Sequence, residues 1–143
     1  MSNASAKFAA LPVGRKVTVS KTVTESDVYL FAGITGDFSP NHVDEAYMRT
    51  TPYGRRIAHG ALAIGFMSQA STKVLDGLEG TWVSYGYDRV RFPAPLFFGD
   101  TITVTYEVVE RDEAARKTFA RVIVTTDRGS VVAVATHIMK LVE

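Results

Sequence analysis

The sequence predicts an α+β fold in which one long helix is wrapped by an antiparallel sheet. Three observations carry this reading. Between His59 and Asp76 the chain is apolar on every side of a helix and holds one charge, Lys73. The back half alternates apolar and polar residues with period two, interrupted by turn-like breaks. The 143 residues, 46% hydrophobic and 22% charged, suffice for one domain with its own core.

Residues 1–12 are small and polar and predict a flexible N-terminal segment ahead of a single domain over residues 13–143. Val17 and Val19 alternate with Thr18 and Ser20, which suggests a first strand. Thr24 precedes Asp27 by three positions, the spacing of a capping box. A helix with Val28, Phe31 and Ala32 follows, and Gly33 and Gly36 are expected to end it. Pro40 argues against a helix through the loop 36–42. Asp44 can cap a short helix from Glu45 to about Arg49, and Thr51-Pro52-Tyr53-Gly54 reads as a turn. The helix from Gly60 to Asp76 would be about 25 Å long, enough to span a small domain, and Gly77 stops it. Its apolar composition predicts burial all round.

A strand is expected from Thr81 to Val90. In the next, Ile102, Val104, Tyr106 and Val108 share one face. Ala120, Val122 and Val124 do so in the following one, and Val131, Ala133, Ala135 and Met139 in the last. The breaks at 110–116 and 127–130 make these antiparallel hairpins.

Composition excludes several function classes. Sixteen basic and 15 acidic residues leave a net charge of +1, without the basic stripe of a nucleic-acid binder. With no cysteine, there is no thiolate nucleophile, disulfide or cysteine metal site. No apolar run reaches the ~20 residues that cross a bilayer, and the first residues do not pattern as a signal peptide. The expectation is a soluble cytoplasmic domain with no membrane partner.

Chemistry centres on the histidines. His137 lies in an alternating strand and reads as structural. His42 follows Asp37 by five residues across Pro40, so the two could share one small space as a proton-handling pair. The alternative is that Asp37 makes a turn hydrogen bond and His42 caps the next helix. Gly60, after His59, places a helix-start amide where it could stabilise an oxyanion, unless the pair is simply a tight turn. The histidines lack close spacing such as i, i+4, so no metal site is expected. A serine hydrolase is disfavoured because no G-x-S-x-G elbow occurs.

Three stretches carry a resemblance. Phe31-x-x-Ile34-Thr35-Gly36-Asp37-Phe38-Ser39-Pro40-Asn41-His42-Val43-Asp44 resembles the signature of the MaoC-like dehydratases, the (R)-specific enoyl-CoA hydratases. Ile57-Ala58-His59-Gly60 and Arg91-Phe92-x-x-Pro95-x-x-x-Gly99-Asp100 are similar to later parts of that family's pattern, in the same order. The resemblance implies the hot-dog fold and reversible addition of water to a 2-enoyl thioester. It assigns Asp37 and His42 to a catalytic dyad and Gly60 to the thioester carbonyl. It matches Ser68 to a supporting serine. A helix rises about 12 Å over eight residues, so Ser68 cannot share the oxyanion position with Gly60 and would brace the dyad or line the pocket.

The candidate substrate-binding residues are Phe38, Asn41, Tyr53, His59, Leu62, Arg89 and Arg91. Phe38, Tyr53, Leu62 and Phe66 offer apolar surface to an acyl chain unless they are plain core. Arg55, Arg56, Arg89 and Arg91, close in sequence to the motifs, could meet the coenzyme A phosphates unless they are solvated surface residues. Coenzyme A would be part of the substrate, and no cofactor is expected. An acyl-carrier-protein thioester is an alternative substrate. A homodimer or higher homo-oligomer is the family expectation. Ser39 stands where the family usually has Asn, and Asn41 where it has an aliphatic residue. An acyl-CoA thioesterase and a non-catalytic acyl-thioester-binding subunit are the rival functions. The first is weakened because no acid lies between Gly60 and Lys73.

Overall fold

The computed structural model describes residues 3–143. It contains α1 (Asn3–Ala9), β1 (Lys16–Thr22), α2 (Glu25–Thr35), α3 (Pro40–Val43), α4 (Glu45–Met48), α5 (Gly60–Lys73), β2 (Trp82–Arg91), β3 (Thr101–Asp112), β4 (Lys117–Thr126) and β5 (Val131–Leu141). The strands form one antiparallel sheet in the order β1-β3-β4-β5-β2. The sheet packs on α5 through β1, β3, β4 and β5. This is the helix-in-sheet arrangement expected from the sequence.

Alternation places the core. Ile102, Val104, Tyr106 and Val108 of β3 are buried, as are Ala120, Val122 and Val124 of β4. They meet Leu62, Ala63, Met67, Ala70 and Val74 along α5. In β5 the alternation breaks where the register with β4 shifts between Val124 and Thr125. Val132 and Ala133 are therefore both buried, while Val131, expected inside, is exposed.

Four expectations change. Residues 3–9 are helical rather than flexible, because Phe8 and Leu11 are buried and Phe8 stacks on Trp82; Met1 and Ser2 lie outside the described residues. Helix α2 continues through Gly33 and closes at Gly36, whose φ of 81° lets it take the left-handed cap. Pro40 does not prevent a helix: it occupies the first turn of α3, where its missing N–H costs nothing. Finally, α5 is buried on one side only. The sheet covers that side, while Ala61, Gly65, Ser68, Gln69 and Thr72 face outward. The all-round apolar look came from small residues, which report little about burial. The capping box holds, with Thr24 and Asp27 each accepting the other's backbone N–H.

His137 is structural, as read from its strand. It is fully buried, and its ring nitrogens share 2.7 Å hydrogen bonds with Tyr106 and Ser84. Burial pushes its pKa down to about 4. An unfolded histidine titrates near ~6.5, so between these values the unfolded chain binds the extra proton. Stability is thus complete above about pH 6.5 and lost as pH falls toward 4, by up to about 3 kcal/mol from this group. Urea denaturation at pH 7 and pH 5 should show this loss in the parent and a smaller one in His137→Gln. Equal losses in the two proteins would contradict it.

Candidate active site

Three segments meet at one end of α5. The first is the turn after α2. There Thr35 Oγ1 donates to Phe31 O at 2.7 Å and accepts from Asp37 N. Asp37 Oδ1 accepts from Ser39 N at 3.2 Å, so the turn hydrogen bond open to Asp37 is made. Its carboxylate remains exposed and available to a ligand as well.

The second segment is α3. His42 does not cap the next helix; Asp44 does, accepting from Tyr47 N. His42 instead turns inward, where its Nδ1 lies 2.7 Å from Ile57 O. A carbonyl oxygen only accepts, so Nδ1 carries the hydrogen and Nε2 is left with its lone pair. Burial lowers the His42 pKa, and the adjacent His59 ring lowers it further; the Ile57 carbonyl and Asp37 oppose the shift. His42 is therefore held as a neutral base near pH 7.

The third segment runs from Ile57 to Gly60. Ile57 N donates to Asn41 O and Ala58 N to Leu96 O, which fixes the approach to α5. His59 stacks on His42 with ring centroids 3.7 Å apart, and its Nε2 donates to Asp37 O at 2.9 Å. One donor atom from each of Asp37, His42 and His59 lies within 4.8 Å of the other two. Sequence spacing allowed Asp37 and His42 to share one space but not His59, which comes from a separate segment. Gly60 opens α5, so its N–H is among the helix-start amides that lack an intrahelical partner. These amides carry the positive end of the helix dipole.

A cavity of about 220 Å³ lies here, lined by His42, Tyr53, Ile57, Ala58, His59, Gly60, Ala63, Phe92, Ala94, Pro95, Leu96 and Val132. It brings together His42, His59, Gly60 and Tyr53 from the sequence reading. Other expected residues are elsewhere. Ser68 is on the outward side of α5, away from the cavity wall, because eight residues of helix separate it from Gly60. Leu62 is buried in the main core. Asp37, Phe38 and Asn41 are exposed and lie outside the lining.

Arg89 lines a separate cleft with Asp88, Glu110 and Thr136, and Arg91 donates to Val90 O. Neither reaches the cavity wall. Arg56 is held by Glu25, Glu45 and Tyr29, which makes it a structural tie. Arg55 lies over the Phe97 ring at 3.9 Å.

The sequence reading missed the wall formed by Phe92, Ala94, Pro95 and Leu96. Its signal was present in the Arg91-Phe92-x-x-Pro95 stretch. A Cβ on Gly60 would come within 2.7–2.9 Å of the Phe92 ring, so glycine there is what lets the ring close over the helix start. Gly60→Ala should cost about 1–3 kcal/mol in denaturation experiments, and adding Phe92→Ala should recover part of that loss. Strict additivity of the two substitutions would contradict this contact.

Comparison with known proteins points the same way. Residues 8–129 match the model of the MaoC like domain. An (R)-specific enoyl-CoA hydratase of Rhodospirillum rubrum is 41% identical over 101 residues, covering 71% of this chain and 68% of that protein. A 3-hydroxybutyryl-CoA dehydratase of Methylorubrum extorquens is 38% identical over 103 residues, covering 72% and 64%. Among solved structures, the (R)-hydratase of A. caviae involved in PHA biosynthesis superposes with a TM-score of 0.83 at 29% identity, covering 92% of this chain and 97% of that one.

Proposed function

Because the chain belongs to the MaoC-like domain family, we propose that it is an (R)-specific enoyl-CoA hydratase, a hydro-lyase that reversibly adds water to a trans-2-enoyl thioester in fatty-acid-type metabolism. One observation carries the reading: a neutral, oriented His42 and the Asp37 carboxylate stand beside a helix-start amide at an apolar cavity.

The chemistry follows from the geometry. As water attacks C3, negative charge grows on the thioester oxygen, and the Gly60 N–H stabilises it with the helix dipole behind it. Asp37 and His42 hold the water between them. His42 Nε2 takes one proton from it, and the dyad returns one proton to C2. The hydroxyl and the hydrogen add from the same side, because one pair, Asp37 and His42, handles both. No metal or prosthetic group enters this route, and coenzyme A enters as part of the substrate. Tyr53, Ala63 and Phe92 offer apolar surface to the acyl chain. Arg55, exposed over the Phe97 ring and not held by carboxylates as Arg56 is, is the cation assigned to the phosphates of the carrier.

Among the described residues no helix is long and apolar enough to cross a membrane. The reading places the enzyme in the cytoplasm, with coenzyme A thioesters as substrates and acyl-carrier-protein thioesters as the second candidates. The edge strand β2 is bonded only to β5, and it exposes Val83 and Tyr85. A ten-residue open edge invites pairing, and a second copy of the chain would cover it. Light scattering should return twice the 15.6 kDa chain mass or a higher multiple. A monomer at micromolar concentration would refute the homo-oligomer.

The functional test follows loss of enoyl-thioester absorbance with crotonyl-CoA and longer chains. Asp37→Asn and His42→Ala should each slow hydration by roughly 10²–10⁴-fold. Parent-like rates in both, or release of free thiol instead of hydration, would overturn the assignment. Because the His42 pKa is lowered, kcat/KM should stay level through neutral pH and fall only below about 6.5, as the base becomes protonated. An acid limb centred above pH 7 would argue against His42 as the base.

A further inference from the structure

We infer that His59 is a positioning residue for this reaction, its imidazole holding the backbone of Asp37 and the ring plane of His42 in register with the Gly60 amide. The inference rests on the hydratase reading and adds a role that the dyad and the amide do not cover. His59 is 2% exposed. It occupies the N-cap position of α5, yet its side chain makes no capping hydrogen bond. Its Nε2 donates instead to the backbone carbonyl of Asp37, 22 residues away in sequence. Its ring stacks on His42 at 3.7 Å and also meets Phe31 at 4.7 Å.

The other ring nitrogen is informative. His59 Nδ1 is buried and has no hydrogen-bond partner. A buried polar atom left unpaired costs stability. An aromatic ring needed only for packing would lack that atom, and one needed only for capping would point at the α5 amides. The imidazole is explained by the one thing it does that phenylalanine cannot: donate from Nε2 to Asp37. Because His59 directly precedes Gly60, one residue ties together the turn that presents the carboxylate, the ring of the base and the amide that meets the oxyanion. Reaction geometry is sensitive to such ties, since a displacement of about 1 Å can cost ~10²-fold in rate.

The test uses the full chain with His59→Phe, His59→Gln and His59→Asn. His59→Phe keeps the stack and removes the donor. It should fold with an unchanged circular dichroism spectrum, lower kcat by roughly 10–100-fold and leave KM within about twofold. The Gln side-chain amide reaches about as far as Nε2 and the Asn amide does not. Gln should therefore exceed Asn in kcat by about fivefold or more, which also decides the matter if the Phe variant does not fold. A Phe variant with kcat within twofold of the parent, or a smaller advantage of Gln over Asn, overturns the inference.

An NMR readout separates this from the functional reading. The amide shifts of Ser39, whose N–H donates to Asp37 Oδ1, should move in His59→Phe as the Asp37 turn loses its tie. An unaltered Ser39 amide overturns the positioning role even if the parent hydrates no enoyl thioester, an outcome that would sink the hydratase reading alone.

Discussion

The hydrogen bond between His42 Nδ1 and the Ile57 carbonyl is the interaction on which the site depends. It fixes the tautomer, leaves Nε2 its lone pair and draws the residue inward from a four-residue helix too short to be stable alone. The reciprocal bond from Ile57 N to Asn41 O closes the same joint from the backbone side. Ile57 also bridges to Phe97, which ties the joint to the loop between β2 and β3. The approach to α5 is thereby held between the dyad segment and the sheet's own connection. The cavity lies where these pieces meet.

This joint explains why the fold tolerates a polar cluster next to its core. Asp37 stays exposed, so its carboxylate keeps solvent as a partner. His42 and His59 are buried, but each donates to a carbonyl. Away from the site the same rule holds. Asp100 is buried and accepts two bonds from Arg128 and one from Phe97 N, which pulls its pKa down against the burial that would raise it. The Gly99-Asp100 pair is therefore a structural joint at the start of β3, although it lies in a stretch that resembles a functional signature.

What was legible in the sequence was whatever local periodicity or chemistry determines. The strands of the back half and the capping box at Thr24 and Asp27 were readable because alternation and cap geometry are local. The dyad was visible only as two residues around a proline, and the resemblance supplied their role. The stacking of His59 on His42 was not legible, since it depends on how the approach to α5 is held against α3. The exposed side of α5 was misread because alanine and glycine score as apolar while having little surface to bury. Sequence proximity could not sort the arginines. Arg56 has three partners on α2 and α4, and Arg89 lines a separate cleft, facts that only the folded chain provides.

The central claim is that water adds across the double bond from the one side that Asp37 and His42 occupy. Hydration of crotonyl-CoA in D₂O measures this directly through the configuration of the product. The account predicts (R)-3-hydroxybutyryl-CoA with a single deuterium at C2 on the same face as the new hydroxyl. An (S) product, deuterium on the opposite face, or free coenzyme A without a hydroxylated product would contradict it.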